Sequence, residues 1–382
     1  MAFASVHPDL FQILRGYASL IPPKHLQFPS HLEAQAIHDF LVAHILTSAH
    51  FHAYPPSQQH QKSFWKWIIP HLEKKICADP DSELEVDSRV YEHYLELLTS
   101  SALFSSQAIS RSVGAPGLTG QSPPPPSYIT HFWSPENKVL PPNGSVNLGA
   151  YQTTTLLESR TMIEAGTTGL RTWLASLVLA QHLIRNPALV HRKRILELGS
   201  GTGFLGSVVA SLQLLGPAPP GTLWMSDIND AVLSRCRDNV QLPCNSSSSH
   251  PDARCCFLDW SAALDPDGGI APLTSLLYDE IDADLILGAD LVFDPDLIPA
   301  LVAVLYLAFQ PGARPRCALV ALTIRNPTTM QKFIETVSAS GLVLETIHAQ
   351  MDDRVFMEPV EGSGDANNGI NIFRITRTSS RG

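Results

Sequence analysis

Charge is scarce in this chain of 382 residues. Asp, Glu, Lys and Arg make up 16% of it, against about 25% in an ordinary soluble domain. The shortage falls on the basic side, with 26 Lys and Arg against 36 Asp and Glu and a formal charge of −10. That balance argues against non-specific hold on nucleic acid, whose affinity comes from cations on phosphates, so no direct nucleic-acid partner is expected. Long apolar runs are also missing. The longest, Thr172 to Ile184 and Leu297 to Phe309, fall short of the roughly 20 residues a bilayer-spanning helix needs, and no membrane segment is expected. The first residues, MAFASVHPDLFQILRGYAS, have no basic stretch leading into a long apolar one, so no signal peptide is read and a cytoplasmic monomer is expected. Cysteine is sparse: Cys77, Cys236, Cys244, Cys255, Cys256 and Cys317 form no CxxC pair, which fits reduced thiols rather than a disulfide framework or a zinc site. Histidine is plentiful, but His31, His38, His44, His50, His52 and His60 lack Cys or carboxylates at ligand spacing, and no metal is expected.

What is present divides the chain. From residue 30 to about 104 apolar positions recur at helical spacing, as in Leu32, Ile37, Phe40, Leu41 and Ile45 and again in Phe64, Trp65, Ile68, Ile69, Leu72 and Ile76, so 1–104 reads as an all-helical module. Pro70 is expected to kink or end the second of these helices. Residues 105–127 shift to Ser, Gly and Pro, ending in Pro123 to Pro126, and read as a linker. A second domain, 128–382, opens with β-prone pieces inside 145–165, Tyr151–Leu157 and Arg160–Ile163, which predict a strand pair. From 166 to 377 apolar strands alternate with helical patterns, and seven strands fit. This predicts a doubly wound, mostly parallel α/β sheet with helices on both faces, a Rossmann-like core. The last two strands have no helix between them, so they can pair antiparallel and close the sheet edge.

The strongest local signal is Ile195–Gly203, where a strand turns into a helix through Gly199, Ser200, Gly201, Thr202 and Gly203. Glycines there let the backbone approach a ligand and leave helix-start amides free. Gly201-x-Gly203-x-x-Gly206 also fits a dinucleotide fingerprint, which alone does not distinguish one nucleotide-like cofactor from another. Glu197, two residues before the first glycine, would repel a pyrophosphate and suit an α-amino group, which favours S-adenosylmethionine over a nicotinamide cofactor. Asp227 ends the second strand, where a carboxylate can accept both ribose hydroxyls, with Asn229 and Asp230 available as helix caps. Asp259 and Trp260 end the third, suiting an acceptor and an aromatic wall for adenine. Ala289 and Asp290 end the fourth, with Asp294 before Pro295 reading as the cap of the next helix. Asp290 is the candidate to orient a substrate amine.

Taken together, GTTGLRTW (166–173), ELGSGTG (197–203), LDW (258–260), ADLVF (289–293) and TIRNP (323–327) resemble the seven-strand class I methyltransferases of the family 16 group. Within it the chain is similar to the eukaryotic elongation factor 2 lysine methyltransferase family. The likeness runs over about 145–377, and the helical extension is similar as well. The resemblance implies a protein-lysine N-methyltransferase that uses S-adenosylmethionine, with elongation factor 2 as protein substrate. It also implies that Trp173, Gly199 to Gly201, Asp227, Trp260 and Ala289 line the cofactor site. Two positions depart from the group: Leu174 follows Trp173 where Asp is common, and Phe293 stands where Tyr is common. The alternatives the residues leave open are a small-molecule methyltransferase and a non-catalytic interaction protein of the same fold.

Overall fold

The computed structural model describes residues 5–78, 83–110, 124–136, 144–309, 314–349, 351–352, 354–357 and 369–377. The N-terminal helices are α1 (Pro8–Ala18), α2 (Ala34–Leu41), α3 (Ala49–Ala53), α4 (Gln58–Cys77) and α5 (Ser88–Ser110). Their apolar stripes meet in one core around Phe11, Ile37, Phe64, Trp65 and Ile68, as the helical spacing requires. Helix α4 continues through Pro70, so this proline does not end it. Helix α5 runs to Ser110, six residues past the expected edge of the module. Of the expected linker, residues 111–123 lie outside the described residues.

Strands β1 (Ser5–Val6) and β3 (Val146–Asn147) pair antiparallel, as do β2 (Ser127–Trp133) and β4 (Gln152–Glu158). A strand pair therefore exists, but not between the two segments the sequence suggested. Arg160–Ile163 is not a strand, and the partner of β4 is Ser127–Trp133, at the very start of the second domain and ahead of the expected 145–165. The helical module sits on this pair. Phe11 packs its ring 4.5 Å from Tyr151 and 5.8 Å from Phe132. Ser19 Oγ donates to the Thr130 carbonyl at 3.2 Å, and Arg15 Nη2, almost fully buried, donates to the Val355 carbonyl at 3.0 Å.

The main sheet holds β5 (Ile195–Leu198), β6 (Leu223–Asp227), β7 (Ala253–Phe257), β8 (Leu285–Ala289), β9 (Cys317–Thr323), β10 (Leu342–Ala349) and β11 (Ile370–Arg377), in the order β10-β11-β9-β8-β5-β6-β7. Strands β5 to β9 are parallel, and β11 runs antiparallel to both β9 and β10. The seven predicted strands are all present. The terminal hairpin pairs antiparallel as expected, with β11 inserted beside β9 and β10 left as the edge. One face is covered by α6 (Leu174–Arg185), α7 (Phe204–Leu215) and α8 (Asp230–Val240), the other by α9 (Ile270–Ser275), α10 (Ile298–Ala308) and α11 (Pro327–Ala339), each face with its own apolar core. The chain leaves β5 for β6 on one side and later returns to β8 on the other. The crevice beyond the carboxyl ends of β5 and β8 is thus the switch point, where open α/β sheets bind ligands. No described helix is long and apolar enough to cross a membrane.

Candidate functional site

Strand β5 delivers the chain into the glycine loop, where Gly199, Gly201 and Gly203 take positive φ of 60°, 54° and 84°. Side chains resist that region, and space forbids one as well. A Cβ on Gly199 would lie 2.7 Å from Leu291 Cδ2, with the Trp260 ring edge 3.8 Å away, and one on Gly201 would lie 3.1 Å from the Gly169 carbonyl. The backbone is therefore bare between two aromatic-bearing segments, 166–173 and 258–260. Helix α7 starts behind the loop with no side chain capping its first turn.

Glu197 lies on the face of β5 covered by α7, only 3% exposed. Its Oε2 has no hydrogen-bond partner and sits 3.0 Å from where a Cβ on Gly206 would be. Burial pushes its carboxyl up to about 8, and the Ser200 side chain works in the opposite direction. The carboxyl group thus backs the loop from beneath. Ser200, also buried, has its amide tied to the Ser226 carbonyl at 2.9 Å.

Asp227, at the end of β6, reaches across to the loop: Oδ2 accepts from the Gly201 amide at 3.4 Å and Oδ1 from the Asn229 amide at 3.1 Å. Burial raises its carboxyl above the usual range, and the Asn229 and Gly201 amides partly offset this. Capping of α8 falls to Asn229, whose side chain accepts from the Ala231 and Val232 amides. That leaves Asp227 with unused acceptor capacity beside the loop. Trp260 opens a short 3-10 turn, half-buried with its ring edge toward Gly199. Asp259 caps that turn, accepting from the Ser261 amide at 2.8 Å, so the carboxylate suggested for adenine has a structural partner.

Ala289 ends β8, and Asp290 follows with a φ of 53° and 9% exposure. Its carboxylate is engaged with the next strand: Oδ1 accepts from the Thr323 amide at 2.9 Å, and Oδ2 from Thr323 Oγ1 and Arg325 Nη2, both at 3.1 Å. Arg325 Cζ in turn lies 5.3 Å over the Trp173 ring, whose Nε1 donates to the Thr168 carbonyl at 3.1 Å. Next to Trp173, Thr172 bonds the buried Glu158 through both its amide and its hydroxyl, and its hydroxyl meets Thr202 Oγ1 at 3.0 Å. The structure thus brings Trp173, Glu197, Gly199, Ser200, Gly201, Asp227, Trp260, Ala289 and Asp290 to one sheet edge. Asp294 does not cap α10: it accepts from the Asp296 amide in a turn, and the helix begins at Ile298 after Leu297. Phe293, 59% exposed, helps line a shallow pocket with Val292, Thr323, Arg325, Asn326 and Met330.

Arg325, Thr323 and Glu158 escaped residue-level reading. The first two stand in TIRNP at the end of the fifth parallel strand, and that position was the available signal. For Glu158 the sequence offers none.

Residues 155–340 match a family model described as lysine methyltransferase, inside the stretch over which the motifs carry the resemblance. The chain is 32% identical to human protein-lysine N-methyltransferase EEF2KMT over 213 residues, covering 53% of this chain and 58% of that protein. It is 36% identical to protein-lysine N-methyltransferase EFM3 of Chaetomium thermophilum over 190 residues, covering 49% and 52%. Against EFM3 of Saccharomyces cerevisiae the identity is 25% over 280 residues, covering 70% and 68%. The chain thus spans little more than half the length of the first two of these relatives. The matched residues 155–340 hold the five parallel strands β5 to β9, the glycine loop after the first of them and the carboxylates at the ends of the second and fourth, and over this stretch the chain is similar to the lysine methyltransferase family.

Proposed function

We propose that this chain is a protein-lysine N-methyltransferase that takes its methyl group from S-adenosylmethionine, acts as a cytoplasmic monomer and modifies a lysine of translation elongation factor 2. The observation that carries the reading is the pairing of two facing devices at the switch point. One is the bare glycine loop, with Asp227 and the Trp260 edge beside it; the other is Asp290 at the neighbouring strand end. The first fits a nucleoside: Asp227 retains acceptors for ribose hydroxyls, and Trp260, its edge toward Gly199, offers an aromatic wall to a base. Glu197, buried behind the loop with an unpartnered oxygen, favours a cationic amino-acid end over a phosphate. When bound, S-adenosylmethionine supplies an activated methyl, so the protein needs no nucleophile of its own and works by positioning. The chain's residues must place the amine in line and exclude water. A lysine ammonium with a reference pKa near 10.4 must also lose its proton, which at pH 7 costs about 4.6 kcal/mol in water, and desolvation in the crevice lowers that. Asp290 orients the amine. The substrate assignment rests on the resemblance and on the names of the relatives, and the helical module gives a protein substrate a surface to meet.

The test is incubation with labelled S-adenosylmethionine and purified elongation factor 2, with the modified residue located by mass spectrometry. Label on a lysine supports the reading. Label on a small molecule, or none with cofactor bound, refutes it. Asp290→Ala should remove most turnover while S-adenosylhomocysteine affinity stays within a few-fold.

A further inference from the structure

We propose that Arg325 is a positioning residue of this site, a cationic latch that fixes Asp290 and Trp173 relative to each other and leaves Asp290 one acceptor for the incoming amine; the inference rests on the lysine-transfer reading above. Three separate segments meet at this side chain. The Asp290 carboxylate lies 3.1 Å from Nη2, the Trp173 ring lies 5.3 Å beneath Cζ, and Arg325 itself follows β9 by two residues.

The acceptor count gives the latch its consequence. A carboxylate oxygen has two lone-pair sites. Asp290 Oδ2 uses both, on Thr323 Oγ1 and Arg325 Nη2. Oδ1 spends one on the Thr323 amide and keeps one. An amine arriving at the crevice can therefore donate a single hydrogen bond to Asp290, which aligns it without clamping it. Without the latch, both oxygens offer sites to an ammonium, and Trp173 loses the cation that holds its face. Charge works the same way. The Asp290–Arg325 ion pair presents a polar floor with the carboxylate already matched by a cation. The planar guanidinium fork also explains why arginine suits the place: it can pair with a carboxylate and lie on an aromatic face at once. The wall of the shallow pocket shared by Arg325, Phe293 and Met330 then stands beside the amine's path.

The test uses the full chain with elongation factor 2 and labelled S-adenosylmethionine, alongside calorimetric titration with S-adenosylhomocysteine. Arg325→Ala should lower kcat about 10- to 100-fold while KM for the protein substrate and the S-adenosylhomocysteine Kd each stay within about threefold. Arg325→Lys, which can pair with Asp290 but cannot lie flat on Trp173, should recover part of kcat. An indole N–H resonance, assigned to Trp173 through Trp173→Phe, should move in Arg325→Ala without added ligand. Unchanged kcat in Arg325→Ala overturns the proposal. So does a matching loss of S-adenosylhomocysteine binding, which would make the residue part of the cofactor wall, and so does an Arg325→Lys chain no better than alanine. If the unaltered chain binds S-adenosylhomocysteine yet labels no lysine, the transfer reading falls and the latch's role falls with it, whereas an active chain indifferent to Arg325 removes only the latch.

Discussion

Asn239 Nδ2 donates to the Thr202 carbonyl at 2.9 Å, joining helix α8 to the glycine loop. The same side chain accepts from the Leu157 amide at 2.8 Å, so one buried amide ties the loop, α8 and strand β4 together. Leaving a buried donor or acceptor unpaired costs about 1–3 kcal/mol each, and Asn239→Leu orphans both. The expected loss is about 2–6 kcal/mol of folding stability, read by denaturant unfolding. A loss below about 0.5 kcal/mol, the ordinary range of a surface change, would show that the tie carries no load.

The doubly wound sheet was legible because its strands are short apolar or alternating runs between turn residues and helical patterns, and that signal is local. The glycine loop, Asp227 and Asp290 were legible for the same reason: a strand's end fixes a residue at the sheet edge. Pairings between distant segments were not. Strand β4 could have taken Arg160–Ile163 next in sequence, but it takes Ser127–Trp133. That face is covered by α1, while Asn239 and Asn245 hold the outer edge of β4, Asn245 through both the amide and the carbonyl of Thr155. The Asp290–Arg325 pair likewise depends on β8 and β9 lying side by side. At Asp294 the local cap signal misled, because Pro295 precedes a turn and the helix begins three residues later.

Glu197 makes stability depend on pH in a definite direction. Its carboxyl is held at about 8 in the folded chain against an ordinary 4.5. Between those values the folded chain keeps a proton that the unfolded chain releases. Stability from this group is therefore full below pH 4.5, declines by about 1 kcal/mol per pH unit as pH rises, and levels off above 8. Glu197→Gln should flatten that part of the profile in denaturant unfolding between pH 5 and 8. Parallel profiles for the two chains would rule out a protonated Glu197. A cationic ligand end near this carboxyl favours its ionised form, so S-adenosylhomocysteine should bind the unaltered chain more tightly at pH 8 than at pH 6.

Trp260 is half-buried, packs on the core beneath α10 and turns its edge to Gly199. Base stacking on an aromatic side chain contributes about 1–3 kcal/mol, so Trp260→Ala should weaken S-adenosylhomocysteine binding by roughly 5- to 150-fold by calorimetry. The melting temperature should fall only slightly. A chain that unfolds on this change while Asp227→Ala binds normally would identify the tryptophan as core and remove it from the cofactor wall.

The helical module and the α/β domain share apolar surface, which bears on whether the domain can stand alone. Phe11 of α1 packs on Phe132 and Tyr151, Val146 belongs to the module's core, and Arg15 spends a buried hydrogen bond on Val355. A chain beginning at residue 124 exposes Phe132, Val146 and Tyr151 to water, where each large apolar group loses about 1.5–3 kcal/mol of burial, and it leaves the Thr130 and Val355 carbonyls without Ser19 and Arg15. That chain should aggregate or melt well below the full-length one, and label elongation factor 2 poorly for that reason before any question of substrate contact arises. To separate the two effects, Arg15→Met in the full chain removes the buried hydrogen bond while leaving the module in place. It should lower the melting temperature while S-adenosylhomocysteine affinity at 20 °C stays within a few-fold. If residues 124–382 instead melt within about 2 °C of the full chain and label the protein at the full rate, the module is neither a structural support nor a substrate surface.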